Sequence, residues 1–241
     1  MSSLDSPTGS PVQRLSRTSL SSDDIYDQVK EMAARFEFRP SERINEIELS
    51  RTLAVSRTPL REVLNRLMVE GFLTRSQNKG FIGRALEARQ ILDLYEYRRG
   101  VESCILALAC ARAADAELEE LEAFARESTD AGEDQDASRL VKLDEEFHMR
   151  IARMARNAEY ERALENINAR IHYIRWIDMQ KRRTHTQAEH MGIVQALKQR
   201  SIKESSGLLE LHITRRLDQI VEGVKAGYAE IYTRHNIRNP R

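Results

Sequence analysis

The stretch that decides the fold is residues 56–84, SRTPLREVLNRLMVEGFLTRSQNKGFIGR. On a helical wheel for Ser56 to Glu70, the residues Leu60, Val63, Leu64 and Leu67 gather on one side, while Thr58, Arg61, Glu62 and Asn65 gather on the other. One face packs and the other is free to read a partner. Ser56 is a natural N-cap, Pro59 falls in the first turn where its missing donor costs little, and Gly71 stands where a helix closes on a left-handed glycine. Two short strand-like runs follow around Asn78, Lys79 and Gly80. Working outward, Ile25, Val29, Met32 and Ala33 have helical spacing that closes near Phe36 before Pro40, and Asn45 caps a short helix over EIELSRTL.

Three helices and a hairpin in this order predict a winged helix-turn-helix, whose last helix enters the major groove of DNA while the wing lies against the backbone. Charge agrees locally. The 241 residues carry 38 basic and 38 acidic side chains, which excludes a purely electrostatic nucleic-acid binder, yet Arg51 to Arg84 holds seven basic residues against two acidic. Arginine forks suit guanine edges and phosphates. Two cysteines, Cys104 and Cys110, lie six apart on one expected helix, so neither a disulfide framework nor a cysteine zinc site is expected. No apolar run approaches the roughly 18 to 20 residues of a membrane span, and the opening MSSLDSPTGSPVQRLSRTSLSS lacks a secretory core. The expectation is a cytoplasmic protein with no membrane partner, a disordered tail over 1–21, a DNA-binding domain over 22–84, a helical domain over 86–226 and a C-terminal tail over 227–241.

RPSERINEIELSRTLAVSRTPLREVLNRLMVEGFL, residues 39–73, closely resembles the DNA-binding domain of GntR-type regulators, above all in VSRTPLREVL. That resemblance implies Arg57 and Arg61 as the main groove-reading or phosphate-clamping residues, Ser56 and Thr58 near the backbone, Asn65 on the reading face and Gly80 at the wing tip. Arg66 and Arg75 keep the plainer reading of solvated charges. One departure is local: family members carry a Gly-rich connection between the first two helices, where this chain has RFEFRPSE.

From Leu86 onward proline is absent until Pro240, and helical periodicity repeats near 88–113, 115–129, 138–155, 158–180, 184–199 and 201–225, an all-α bundle of six helices. Asp115, Asn157 and Ser201 mark junctions as N-caps. Polar residues then sit where a core expects apolar ones. In SRLVKLDEEFHMRIARM, Asp144 and His148 lie one turn apart along the flank of the buried stripe, a two-point clamp for a metal ion. His190 occupies the centre of the stripe made by Ile193, Val194 and Leu197, and His212 follows Leu208 and Leu209, whereas His172, His185 and His235 fall outside this pattern. One carboxylate and three imidazoles suit zinc, nickel, manganese or iron, with zinc first; a hydrogen-bonded core histidine is the plainer reading of each ring alone. Arg98 falls in the middle of the face formed by Ile91, Leu94, Ile105 and Ala109 and needs an anionic partner: Glu102 one turn on, or the carboxylate of an effector held against the metal. Tyr173, Arg175 and Trp176 are candidates for the same pocket, with core packing the alternative for the aromatics.

DEEFH, EHMGIVQAL and LLELH resemble the three metal-ligand segments of the FCD effector domain, the FadR-type C-terminal domain of one large GntR subgroup, and the six-helix count resembles its metal-containing, VanR-like branch. LYEYRRGVES resembles the stretch that supplies an effector-binding arginine. The resemblance implies a homodimeric repressor that binds a palindromic double-stranded operator and responds to a small organic or sugar acid bound at a divalent transition metal. Three rivals use the same residues: the metal itself is the signal, the metal is purely structural, or the helical domain is a metal-dependent hydrolase with a nucleic-acid tether. The last lacks an HExxH-type base, a nucleophile elbow and a phosphate loop.

Overall fold

The computed structural model describes residues 21–76, 80–130, 136–180, 185–214 and 217–238. The tail expected over 1–21 lies outside them except for Ser21, and so do Asn78 and Lys79 of the wing. Helix α1 (Ser22–Ala34) opens on a reciprocal capping box between Ser21 and Asp24. Helix α2 (Glu46–Thr52) is capped by the Asn45 side chain, which accepts from the backbone N–H groups of Ile47 and Glu48. Helix α3 (Arg57–Val69) buries Leu60, Val63, Leu64 and Leu67, and a fully buried leucine contributes about 1.5–3 kcal/mol. It closes as expected: Gly71 has φ 82°, the Phe72 N–H donates to the Leu67 carbonyl and the Gly71 N–H to that of Met68.

Strands β1 (Leu73–Ser76) and β2 (Gly80–Gly83) pair antiparallel with Leu73 opposite Gly83 and Ser76 opposite Gly80. Pro40 and Arg43 bridge to Gly83 and Ile82, so the segment after α1 backs the wing. Here the chain makes, without glycine, the turns that a Gly-rich connection makes freely: Phe36 and Ser41 hold φ of 56° and 62°, a conformation that costs a non-glycine residue about 1–2 kcal/mol. Phe36 is offset by burial, but not where the helix stripe suggested. Its ring packs on Tyr173 of the helical domain, centroids 5.2 Å apart, and the Arg84 guanidinium covers it at 4.6 Å. The phenylalanine expected to close the first domain's stripe joins the second domain's core.

That second domain contains, among the described residues, seven helices rather than six: α4 (Ala88–Arg112), α5 (Asp115–Asp130), α6 (Ala137–Met154), α7 (Ala158–Met179), α8 (His185–Lys198), α9 (Ile202–Ile213) and α10 (Leu217–Arg238). The first five match the expected ones to within two residues. The sixth is two helices, separated where Thr214 turns extended at ψ 131°. No glycine or proline marks that break. A straight helix through 201–238 would run about 57 Å, against about 37 Å for the 25 residues of α4, so the chain turns to bring Ile220, Val224 and Ile231 back onto the core. For the same reason residues 227–238 continue a helix where a tail was expected. Asp115 lies inside its helix; the N–H of Ala114 is satisfied by the Glu117 carboxylate instead. No helix of the described residues is long and apolar enough to cross a membrane.

α4 is the post of the bundle, with α6, α7, α9 and α10 packed on it, while α8 stands between α5 and α9. α7 also contacts α1, and so joins the helical domain to the DNA-binding one. Gly83 sets the tightest approach in the winged domain, since an ideal Cβ there would stand 2.3 Å from the Arg39 carbonyl oxygen. Gly83→Ala is expected to destabilise the protein by about 1–3 kcal/mol through forced backbone displacement, measured by thermal or urea unfolding; an unchanged midpoint would contradict the packing described.

Candidate functional site

Asp144 and His148 come from α6, His190 from α8 and His212 from α9. All four are buried, none more than 4% exposed, and one ligand atom of each lies within 4.8 Å of the others. The three Nε2 atoms face one another: His148 to His212 is 3.1 Å and His190 to His212 is 3.2 Å. Asp144 Oδ1 stands 3.2 Å from His190 Nε2 and 3.5 Å from His212 Nε2. Phe147 stacks flat on His190, centroids 3.8 Å apart, and fixes the plane of that ring.

The opposite edges of the rings assign the tautomers. His212 Nδ1 donates to Glu189 at 2.7 Å. His148 Nδ1 stands 2.5 Å from Glu102 Oε2; the approach is bent, yet a lone pair on Nδ1 at that distance would oppose the carboxylate, so the proton sits on Nδ1. Nε2 of both rings therefore carries a lone pair. Asp144 Oδ1 accepts no hydrogen bond. A single proton on His190 Nε2 would satisfy one contact and leave the other lone pairs opposed. A cation resolves the arrangement, and the spacing fits one: two ligands about 2.1 Å from a common ion and 90–110° apart stand roughly 3.0–3.4 Å from each other. The tetrad thus fits a divalent metal ion by donor type, burial and separation.

Burial also sets the protonation. It pushes His148 down to about 4, with the Glu102 charge opposing. His190 is held well below 6.5 by burial and then by its two histidine neighbours, and His212 is lowered by burial against the pull of Glu189. Burial alone would raise Glu102, but Arg98 and His148 together outweigh it and hold that carboxyl far below the usual range. The rings are neutral at physiological pH and ready to ligate.

Arg98 is 3% exposed. Its Nε pairs with Glu102 Oε1, while Nη2 has no hydrogen-bond partner. The arginine shares with Tyr95, Asp144, Arg175, Asp178 and His212 the wall of a cavity of about 20 Å³, room for about one water. Arg175 lines this space as expected, and Tyr173 and Trp176 instead stack on each other, 5.8 Å between centroids.

On the winged domain, Arg57, Thr58, Arg61 and Asn65 are exposed along one side of α3, and Ser56 is exposed just before it. Ser56 occupies the N-cap position without a side-chain cap bond. Arg61 is loosely placed 3.9 Å from Glu46, its side chain 56% exposed. Arg66 behaves differently, tied to Glu70 at 3.0 Å and laid over the Tyr26 ring at 3.7 Å. Gly80 opens β2 with φ 70°.

Comparison with known proteins decides the assignment. Residues 21–82 match the pattern of bacterial regulatory proteins of the gntR family, and residues 93–215 match the FCD domain. The chain belongs to the GntR family and carries an FCD domain. It is 46% identical over 210 residues to the Nta operon transcriptional regulator of Aminobacter aminovorans, covering 87% of this chain and 99% of that one. Over 92 residues, 38% of this chain and 42% of the other, it is 30% identical to the HTH-type transcriptional repressor GlaR of Escherichia coli K12. In fold it is similar to the solved structure of E. coli McbR/YncC, with a TM-score of 0.65 at 18% identity over 89% of this chain and 98% of that one. This GntR regulator is a DNA-binding transcription factor and not an enzyme.

Within the FCD domain, sequence reasoning found the four converging residues but not what surrounds them. Glu189 was hidden as an ordinary charge beside His190, although it serves His212 on the next helix. Glu102 was seen as a partner for Arg98 and not for His148. In the metal-free protein the unfolded chain takes up protons on these histidines that the buried rings refuse, so stability falls as pH drops from about 6.5 toward about 4. We expect the Tm of chelator-treated protein to fall across that interval, and added divalent metal to raise it most at neutral pH; a Tm flat across the interval would contradict the burial described.

Proposed function

We propose that this regulator is a homodimeric repressor that binds a palindromic operator in the cytoplasm through Arg57 and Arg61 of each α3, and releases it when a small organic or sugar acid binds beside a zinc ion in the FCD domain. The observation that carries the effector reading is Arg98 Nη2, a buried cationic donor without a hydrogen-bond partner, in the wall of a cavity that it shares with Asp144 and His212. A guanidinium there is placed to take a carboxylate oxygen. When bound, a divalent ion supplies Lewis acidity and open coordination positions for an anionic oxygen. His148, His190, His212 and Asp144 would hold that ion, with Glu102 and Glu189 keeping two of the rings in the ligating tautomer. Operator control is supported by the likeness to the Nta operon transcriptional regulator, and repression by the shorter likeness to GlaR.

A second reading, in which the metal itself is the signal, is favoured by cavity size: about 20 Å³ admits a water and not a di- or tricarboxylate without rearrangement. One titration separates the two. An operator duplex is selected from a random pool by metal-replete protein, and its affinity is followed by fluorescence anisotropy with metal alone, after chelation, and with di- and tricarboxylates and sugar acids added. The effector reading expects an acid to weaken binding of metal-replete wild type and to leave His190→Ala unaffected. The metal-signal reading expects chelation to change affinity with no acid required. Operator binding indifferent to both would contradict both. Arg61→Ala is expected to lose about 1–3 kcal/mol of operator affinity with Tm unchanged, because its side chain packs against nothing in the core; full affinity in that variant would remove Arg61 from the reading face.

A further inference from the structure

Arg175 lines the cavity beside Arg98, but lining it does not account for how its guanidinium is paired. It is buried, 6% exposed, and divides its guanidinium between two places. Nη2 forms an ion pair with Asp144 Oδ2, while Nη1 lies 3.4 Å from Glu145 Oε1 and 3.5 Å from Asn168 Oδ1. Asp144 is thereby claimed twice, by Arg175 on one oxygen and by the histidine cluster on the other. A divalent ion among the three Nε2 atoms and an arginine on the same carboxylate would be two cations competing for one anion in a buried site. Glu145 offers the arginine an alternative acceptor on the same helix, and it is only partly engaged, by His172 Nδ1 at 3.0 Å.

α7, the helix that carries Arg175, is also the seam to the DNA-binding domain. Asn166 Nδ2 donates to the Glu70 carbonyl at the C-cap of α3, 3.2 Å away. The Arg170 carbonyl accepts from Arg84 Nη2 at 2.6 Å, and an ideal Cβ on Gly71 would stand 3.0 Å from Arg170 Cζ. Tyr173 holds Phe36. Between α1 and the pair α6 and α7 lies an open cleft of about 330 Å³ whose walls include Glu145, Asn168 and His172. A packed interface has no room to shift, and this one has.

We propose that Arg175 is a latch on Asp144: it holds the carboxylate while the metal site is empty, yields it to the ion and moves toward Glu145, and so relays metal occupancy along α7 to the junction with the winged domain. The inference rests on the tetrad's being a metal site. It makes Arg175 a positioning residue that opposes metal binding, the reverse of a supporting role.

The chain's one tryptophan, Trp176, adjoins the latch and stacks on Tyr173, so its fluorescence reports the junction. The test titrates zinc against a chromophoric chelator to read affinity, and follows Trp176 emission in parallel, in full-length wild type, Arg175→Met, Arg175→Lys and Glu145→Gln. The latch expects zinc to change Trp176 emission in wild type. Arg175→Met should bind zinc at least about tenfold more tightly with that emission change lost, and Arg175→Lys should restore wild-type competition. Glu145→Gln, at a half-buried position, should bind more weakly because the released arginine has lost its resting place; it keeps the test decisive if Arg175→Met does not fold. Zinc binding in wild type with unaltered emission, or weaker binding in Arg175→Met, overturns the latch and leaves the metal site standing. No zinc binding in wild type overturns both.

Discussion

Lone pairs and a carboxylate converge at the centre of the FCD domain: Nε2 of His148 and His212 face Asp144 and His190 across 3.1 to 3.8 Å of protein interior. Like partial charges facing one another at buried positions are expensive, and the surrounding groups deepen the demand. Glu102 and Glu189 fix two rings with their protons pointing away, and burial keeps all three from protonating. The helices α6, α8 and α9 thus converge on a buried donor set that could hold a divalent cation.

The regulatory logic follows from where that arrangement sits relative to the DNA-binding face. The side of α3 that carries Arg57, Arg61 and Asn65 is exposed, but its C-terminal end is not: Glu70 and Gly71 lie against Asn166 and Arg170 of α7. Phe36, in a left-handed conformation, leaves the first domain to fill the second. Arg84 spans both, over the Phe36 ring and into the Arg170 carbonyl. The two domains thus meet largely along α7, with Arg39 over the Tyr232 ring of α10 besides, and α7 also reaches the Asp/His tetrad through Arg175. Between the tetrad and the end of α3 the contacts run through the Arg175–Asp144 ion pair, along α7, and through Asn166 and Arg170 to Glu70 and Gly71.

The winged domain was legible because its punctuation is local. Pro59, Gly71, the N-cap at Asn45 and the one-sided stripe of α3 each act within one or two turns. The buried quartet was legible for a related reason, since a histidine in the middle of an apolar stripe is anomalous on its own helix. What stayed hidden depends on partners far apart in the chain. Glu189 and His212 are 23 residues apart, and Arg175 reaches Asp144 from another helix. Phe36 looked like the end of a helix stripe because nothing nearby shows that Tyr173 lies above it. The split between α9 and α10 was unmarked by glycine or proline, and only the need to fold Ile220 and Val224 back onto the core imposes it.

The most direct test of the central claim is element-specific anomalous scattering from crystals of protein purified without chelators, with metal content measured on the same preparation. This account predicts one divalent ion per chain, bonded to Nε2 of His148, His190 and His212 and to Asp144. Crystals with no anomalous peak there and no stoichiometric metal, the four side chains still converging, would contradict it and reduce the tetrad to a buried polar network.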